Sequence, residues 1–233
     1  MKKIIPLTIL VGLFWTANLN AQESPDSLSF KEAEKFYLAK IDADDKDSEA
    51  YANLGNLYLK EEKFSKAIEQ YTKAIDIYPY DPNFYAGRGE ALVKSEENAL
   101  LAIKDLKKTL TASKEYNNSE LAELNLLLAK AHNSLSSNLT DEHGSISFEY
   151  TTISTKYDST NSETAYQRAV YFDEKGFPVE ANVEFKKAVR LDSENKVYKA
   201  ELVRSDNYIA RHFKTQSDYD QYEQRNLIIK KKE

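Results

Sequence analysis

The 233-residue chain contains no cysteine. Disulfides, thiolate zinc sites, a cysteine nucleophile and a lipid-bearing N-terminal cysteine are thereby excluded, and the composition suits an oxidising compartment, where a stray thiol is a liability. Glycine is scarce, with six residues against a usual share of roughly 7%. Gly-rich phosphate loops and hairpin-dense β architectures need more than that. Positive charge is not in excess either. Lys and Arg number 32 against 38 Asp and Glu, a formal charge of −6, whereas a protein that grips nucleic acid through its phosphates carries the opposite balance. What is present is 41% hydrophobic and 30% charged residues, too apolar for a disordered chain and sufficient for a real core. Helices joined by short polar turns fit this composition.

The N-terminus reads separately. Lys2 and Lys3 precede an apolar run over residues 4–15, followed by Asn18-Leu19-Asn20 and Ala21-Gln22. A short basic region, an apolar segment and a small residue at the cut describe a secretory signal peptide over 1–21, cleaved after Ala21. The rival reading is an uncleaved anchor, but about 12 apolar residues reach only ~18 Å, short of a ~30 Å bilayer core. Removal of the leader leaves 212 residues and takes the formal charge from −6 to −8. The Asn-Ala-Gln ending resembles signal peptides of Bacteroidetes-type bacteria, which places the mature chain in the periplasm or outside the cell. No later segment is apolar enough to span a membrane, and 22–29 reads as a flexible linker.

Internal repetition dominates the rest. Tyr51, Leu54, Gly55 and Tyr58 share one helical face at i, i+3, i+4, i+7, and Ala67, Tyr71 and Ala74 share another at i, i+4, i+7. Gly55 costs about 1 kcal/mol of helix propensity against alanine, so close approach of a neighbouring helix must offset it. The register recurs. Tyr85, Gly89 and Leu92 repeat the first helix 34 residues on, and Ala102, Leu106 and Thr109 the second at 35. Upstream, Ala33 and Tyr37 precede Ala67 and Tyr71 by 34; downstream, Phe172, Ala181, Phe185 and Ala188 follow Tyr58, Ala67, Tyr71 and Ala74 by 114. In that last unit Arg168 and Ala169 replace the Leu-Gly pair, which weakens the match.

With Pro79, the stretch 48–81 follows aromatic-x2-L-G-x2-Y…A-x3-F…P, and so resembles a tetratricopeptide repeat (TPR). The resemblance implies an all-α solenoid of helical hairpins, a right-handed superhelix over 30–195. Its best unit is 48–81, the next 82–116, with a divergent unit at 117–160 and a weak one at 162–195. A polar C-terminal capping helix and frayed basic tail complete it over 196–233. The second-helix aromatic position runs Tyr37, Tyr71, Leu106, Tyr150, Phe185, with gaps of 34, 35, 44 and 35. An insertion of roughly ten residues is therefore expected in the divergent unit, at 138–144. Ile146, Phe148 and Tyr150 alternate as in a strand, yet the register favours a helix over 145–157.

The resemblance further implies a concave groove, lined by the first helix of each unit, that binds a protein or peptide partner. On that face stand Asn53, Asn56 and Lys60, then Asn83, Glu90 and Lys94, then Tyr166. Asparagine both donates to and accepts from a peptide backbone. The clamp by which some relatives hold a C-terminal carboxylate is not expected, because Ala52 and Gly87 stand where two of its side chains belong. Nothing catalytic is expected, and no cofactor. His132, His143 and His212 are spread along the sequence without metal-ligand spacing, and Glu142-His143-Gly144 reads as a surface loop. No phosphate loop or nucleophile turn occurs. Asp26-Ser27-Leu28 and Asp158-Ser159-Thr160 resemble a Bacteroidetes O-glycosylation triplet, while Asn117 and Asn138 begin N-glycosylation acceptors. The reading is an exported scaffold or adaptor, not an enzyme. Its alternatives are a self-associating structural component and an enzyme using 138–160.

Overall fold

A computed structural model describes residues 28–136 and 141–230. Residues 1–27, with the leader and Ser27, residues 137–140, with Asn138, and residues 231–233 lie outside it. Among the described residues every regular element is helical: α1 Phe30–Ala43, α2 Ser48–Lys60, α3 Phe64–Ile77, α4 Pro82–Ser95, α5 Ala99–Leu110, α6 Asn118–Asn133, α7 Glu142–Tyr157, α8 Ser162–Glu174, α9 Pro178–Leu191, α10 Lys196–His212 and α11 Gln216–Lys230, with one 3-10 turn at Ser113–Glu115. None of them is long and apolar enough to cross a membrane.

Most helix starts are written as an Asp or Asn whose side chain accepts from an orphan N–H of the first turn. Asp47 caps Ala50, Asp81 caps Asn83, Asn98 caps Leu101, Asp141 caps Gly144 and Asn161 caps Thr164. Asn117 forms a reciprocal capping box with Glu120. The turns between paired helices use another device. Glu62, Glu96 and Gly176 have φ of 57°, 57° and 79°, and Lys63 N–H and Phe177 N–H reach back to the Tyr58 and Phe172 carbonyls at 2.8 Å. Glycine suits that left-handed position, while glutamate is strained there by about 1–2 kcal/mol. Since glycine itself costs about 0.5–1 kcal/mol in chain entropy, Glu62→Gly and Glu96→Gly are each expected to stabilise the chain by up to about 1 kcal/mol, readable as a raised urea midpoint.

Each helix packs against the next in chain order, from α1 on α2 through to α9 on α10, as quasi-one-dimensional stacking requires. The repeat positions are the core: Leu54, Tyr58, Ala67, Tyr71, Ala74, Leu92, Ala102, Leu106, Ala181, Phe185 and Ala188 are all buried. The glycines mark the close approaches. A Cβ on Gly89 would stand 2.8 Å from Leu106, and one on Gly55 3.1 Å from the Tyr71 ring. At Gly87 a Cβ would lie 2.2 Å from Tyr71 Cζ. Tyr71 therefore lies between Gly55 of its own unit and Gly87 of the next, tying the two units together.

Three details differ from the sequence reading. Residues 145–157 are helical throughout, as the register favours, but α7 begins already at Glu142. The extra length of the divergent unit is therefore not confined to 138–144. Part of it extends α6 to 16 residues against 13 in α2, and part lies before α6, where seven residues separate α5 from α6 against four between α3 and α4. Glu142, His143 and Gly144 are thus the first turn of a helix capped by Asp141, not a loop. At the C-terminus there are two helices rather than one, and α11 is described as far as Lys230, with the rest of the expected basic tail outside the described residues. α10 is a further first helix, with Tyr198 buried against α8. α11 folds back through the Tyr222 hydroxyl, which hydrogen-bonds Glu180, and through the Phe213, Tyr219 and Tyr222 rings.

Candidate functional site

The first helices of successive units approach one another: α2 touches α4, and α4 touches α6. No comparable contact joins α3 to α5 or α5 to α7. The first helices are therefore the inner side of the curve, and their solvent faces line it.

On α2 the side chains of Asn53, Asn56 and Lys60 are exposed. Asn53 and Lys60 engage no partner among the described residues. Asn56 is engaged from below: its Oδ1 accepts from the Tyr71 hydroxyl at 2.5 Å, leaving its amide N–H groups free to face solvent. Burial, with Glu90 nearby, drives the Tyr71 phenol far above its ordinary range, so it stays a neutral donor. The same ring fills the place of any side chain at 87, which explains why the groove has glycine there. On α4, Asn83 accepts from the Tyr116 hydroxyl at 3.0 Å, and Glu90 pairs with Lys94 at 2.7 Å, one turn apart. On α8, Tyr166 is half-buried and committed to packing. It stacks on Tyr198 at 4.8 Å and leans on Phe185 at 6.1 Å.

The structure adds residues from the divergent unit, where no motif guided the sequence reading. Lys130 of α6 pairs with Glu163 of α8 at 3.6 Å. Glu163 also accepts from Gln167 at 2.9 Å and from the Tyr198 hydroxyl at 2.7 Å. Burial works against its charge, but these hydrogen bonds and Lys130 outweigh burial and hold the carboxyl below its usual range. Glu123 goes the other way. Loss of solvent raises it, Glu90 and Glu163 add to the rise, and Lys130 and Lys94 oppose it. Those neighbours, drawn from α4, α6 and α8, place Glu123 on the inner face. Beside it lies an open recess with Leu92, Val93 and Ala131 in its wall and Lys130 and Gln167 at its rim. Asn133, also lining it, has a buried Oδ1 with no hydrogen-bond donor. One sequence signal was available. Lys60, Lys94 and Lys130 follow at intervals of 34 and 36 residues, the last turn of three successive first helices.

Elsewhere, His132 and His143 are brought together across the α6–α7 connection, with their Nδ1 atoms 3.2 Å apart, although 11 residues separate them in the chain. Among the described residues no three His, Asp or Glu side chains converge as metal ligands do. Ser159 is exposed in the turn before α8, where Thr160 bonds Asp158. The inner face thus carries carboxylates, ammonium groups and amides, with a recess lined by both apolar and polar side chains, among them Leu92, Val93, Glu96 and Lys130. Its polar side chains can hydrogen-bond and ion-pair.

Residues 48–81 match the tetratricopeptide repeat family model. No curated protein matches the chain in sequence. Among solved structures, MamA superposes with a TM-score of 0.59 at 19% identity, over 71% of this chain and 90% of that one. MamA from Desulfovibrio magneticus RS-1 gives 0.60 at 17%, over 72% and 88%. YrrB, a TPR protein with an unusual peptide-binding site, gives 0.59 at 19%, over 74% and 82%. At such identities the likeness establishes the fold, an all-α TPR-type solenoid of helical hairpins.

Proposed function

We propose that this chain is an exported scaffold that holds an extended segment of a partner protein along α2, α4, α6 and α8. One observation carries the reading: on the exposed face of α2, Asn53 and Lys60 engage no partner among the described residues and stand beside the free amide of Asn56. An extended segment presents a backbone donor and acceptor at each residue, which such amides satisfy. The recess would receive one of its apolar side chains. The peptide-binding site of YrrB, on the same fold, supports the reading by analogy. Export rests on the leader-like residues 1–21 and agrees with the absence of cysteine, with the periplasm or the exterior as destination.

The test is affinity capture from the native envelope with the leaderless chain beside two variants. Changing Asn53, Asn56 and Lys60 together to alanine is expected to weaken capture of the partner by about tenfold or more, at roughly 1 kcal/mol per lost hydrogen bond. Changing only Asn53 and Lys60 should retain most of that loss while sparing the Asn56–Tyr71 bond, which separates binding from folding. Capture equal in all three samples would move the interface off α2. Self-association is the second reading, favoured by Leu38 on α1 and by Val197 and Val203 on α10, all exposed apolar groups near opposite ends of the stack. Sedimentation over a concentration series separates them, since a monomer throughout excludes self-assembly.

A further inference from the structure

His132 lies in the last turn of α6 and His143 in the first turn of α7, with ring centroids 5.4 Å apart. His132 also stacks on Tyr150 of α7 at 5.7 Å. With their Nδ1 atoms at 3.2 Å, the neutral pair shares one proton: one imidazole donates from Nδ1–H and the other accepts at Nδ1. A proton taken up at the accepting Nδ1 leaves two N–H groups facing each other, and the contact becomes repulsive.

The surroundings sharpen this. His132 is only 4% exposed, and its Nε2 is buried with no hydrogen-bond partner, so an imidazolium, which carries a proton on both nitrogens, has neither water nor an acceptor at Nε2. The charged or titratable groups that bear on it are Lys107 from α5 and His143 and Tyr150 from α7. Two are cationic when protonated and the third is a neutral phenol. Among the described residues, the charges that shift His132 are positive. The contact sits where α5, α6 and α7 meet, in the middle of a stack whose units hold only their neighbours.

We propose that the His132–His143 pair is an acid-sensitive latch. While neutral it fastens α7 to α6. When protonated it releases that hairpin, and with it the continuity between the α1–α5 and α8–α11 parts of the solenoid. Burial first, then Lys107 and His143, press His132 from the ordinary 6.5 down to about 4. Because the folded value lies below the unfolded one, the fold favours the neutral form. Stability is therefore fully present above about pH 6.5 and is lost as pH falls toward 4. At pH 5 the open hairpin should be up to about twentyfold more populated, relative to closed, than at neutral pH.

Two measurements on the leaderless chain decide it. In a histidine carbon-bound proton NMR titration, His132 is expected to titrate well below the ordinary histidine value of 6.5; titration at or above that value would overturn the latch. Hydrogen exchange at pH 7.5 and pH 5 is expected to show deprotection at pH 5 concentrated in α6 and α7. His132→Phe, which keeps a ring on Tyr150 but cannot be protonated, should remove that acid response. Equal acid deprotection in the variant, or none in the parent, would contradict the proposal. Should the variant not fold, the titration of the parent alone decides.

Discussion

Asp105→Ala is expected to cost about 3–5 kcal/mol of stability, the penalty for stranding a charge whose buried partner is removed. Asp105 is 1% exposed, and its two oxygens receive Arg88 Nε at 2.7 Å and Nη2 at 3.1 Å. Arg88 Nη1 donates onward to Thr72 at 3.2 Å. One guanidinium on α4 therefore joins its own second helix, α5, to the preceding one, α3. Replacing both partners together, as in Arg88→Met with Asp105→Leu, should recover most of the loss, because apolar side chains of similar volume remove the desolvation cost of both ions. Urea unfolding reads both variants. A loss below about 1 kcal/mol for Asp105→Ala would mean that water reaches the pair.

The same clip occurs once more, between α8, α9 and α7. Arg168 donates to Glu184 at 3.0 Å and to Thr152 at 2.7 Å, and lies over the Phe148 ring at 4.9 Å. Its acid is less completely used, since Glu184 Oε2 is buried without a donor. Arg88 and Arg168 both occupy the position where the best unit has Leu54. In sequence that replacement reads as a decayed motif. In the structure it is a substitution of mechanism, with an ion pair doing the joining that leucine does by packing.

Tyr71→Ala carries the second large effect, about 3–5 kcal/mol for emptying a large buried aromatic site. Tyr71 is 1% exposed and lies against Gly55 and Gly87, so its loss opens two units at once. Tyr71→Phe removes only the hydroxyl bond to Asn56 and is expected to cost about 1 kcal/mol. Gly87→Ala provides the converse test. The added methyl would meet Tyr71 Cζ at 2.2 Å, and a ring held on its other face by Gly55 has little room to retreat. Overpacking of about 1–3 kcal/mol should exceed the roughly 1 kcal/mol gained in helix propensity. A more stable Gly87→Ala would show that the ring shifts freely.

Much of the fold is legible in the chain because small residues at a fixed helical spacing imply close packing. Gly55, Gly89, Ala67 and Ala102 must lie where backbones or rings come close, and their intervals of 34 and 35 residues give the period directly. The divergent unit resists such reading. Its α6 has leucines on several faces, ten of its residues are buried, and no glycine marks the approach of a neighbour. Alternating Ile146, Phe148 and Tyr150 imitate a strand because Phe148 packs on Tyr171 and Phe172 of α8 while Tyr150 stacks on His132 of α6. The inner-face charges Glu123, Lys130 and Glu163 escaped notice for the same reason, as no motif fixed the register that places them. Tyr166 reads as a groove residue by register alone, whereas the extra first helix, α10, supplies Tyr198 to stack on it. Side chains that meet across a turn of uncertain length, such as His132 and His143, leave no periodic trace at all.

On the proposed reading the inner face of the stack, not the outer, meets the partner. Photo-crosslinking tests it most directly, with a light-activated residue placed singly at 53, 94 or 130 on the first helices, or at the exposed positions 73 and 104 on the second. Crosslinks to a shared partner from the first three positions, and none from the other two, are the expected result. Partner crosslinks from 73 and 104 with none from 53, 94 or 130 would contradict the account.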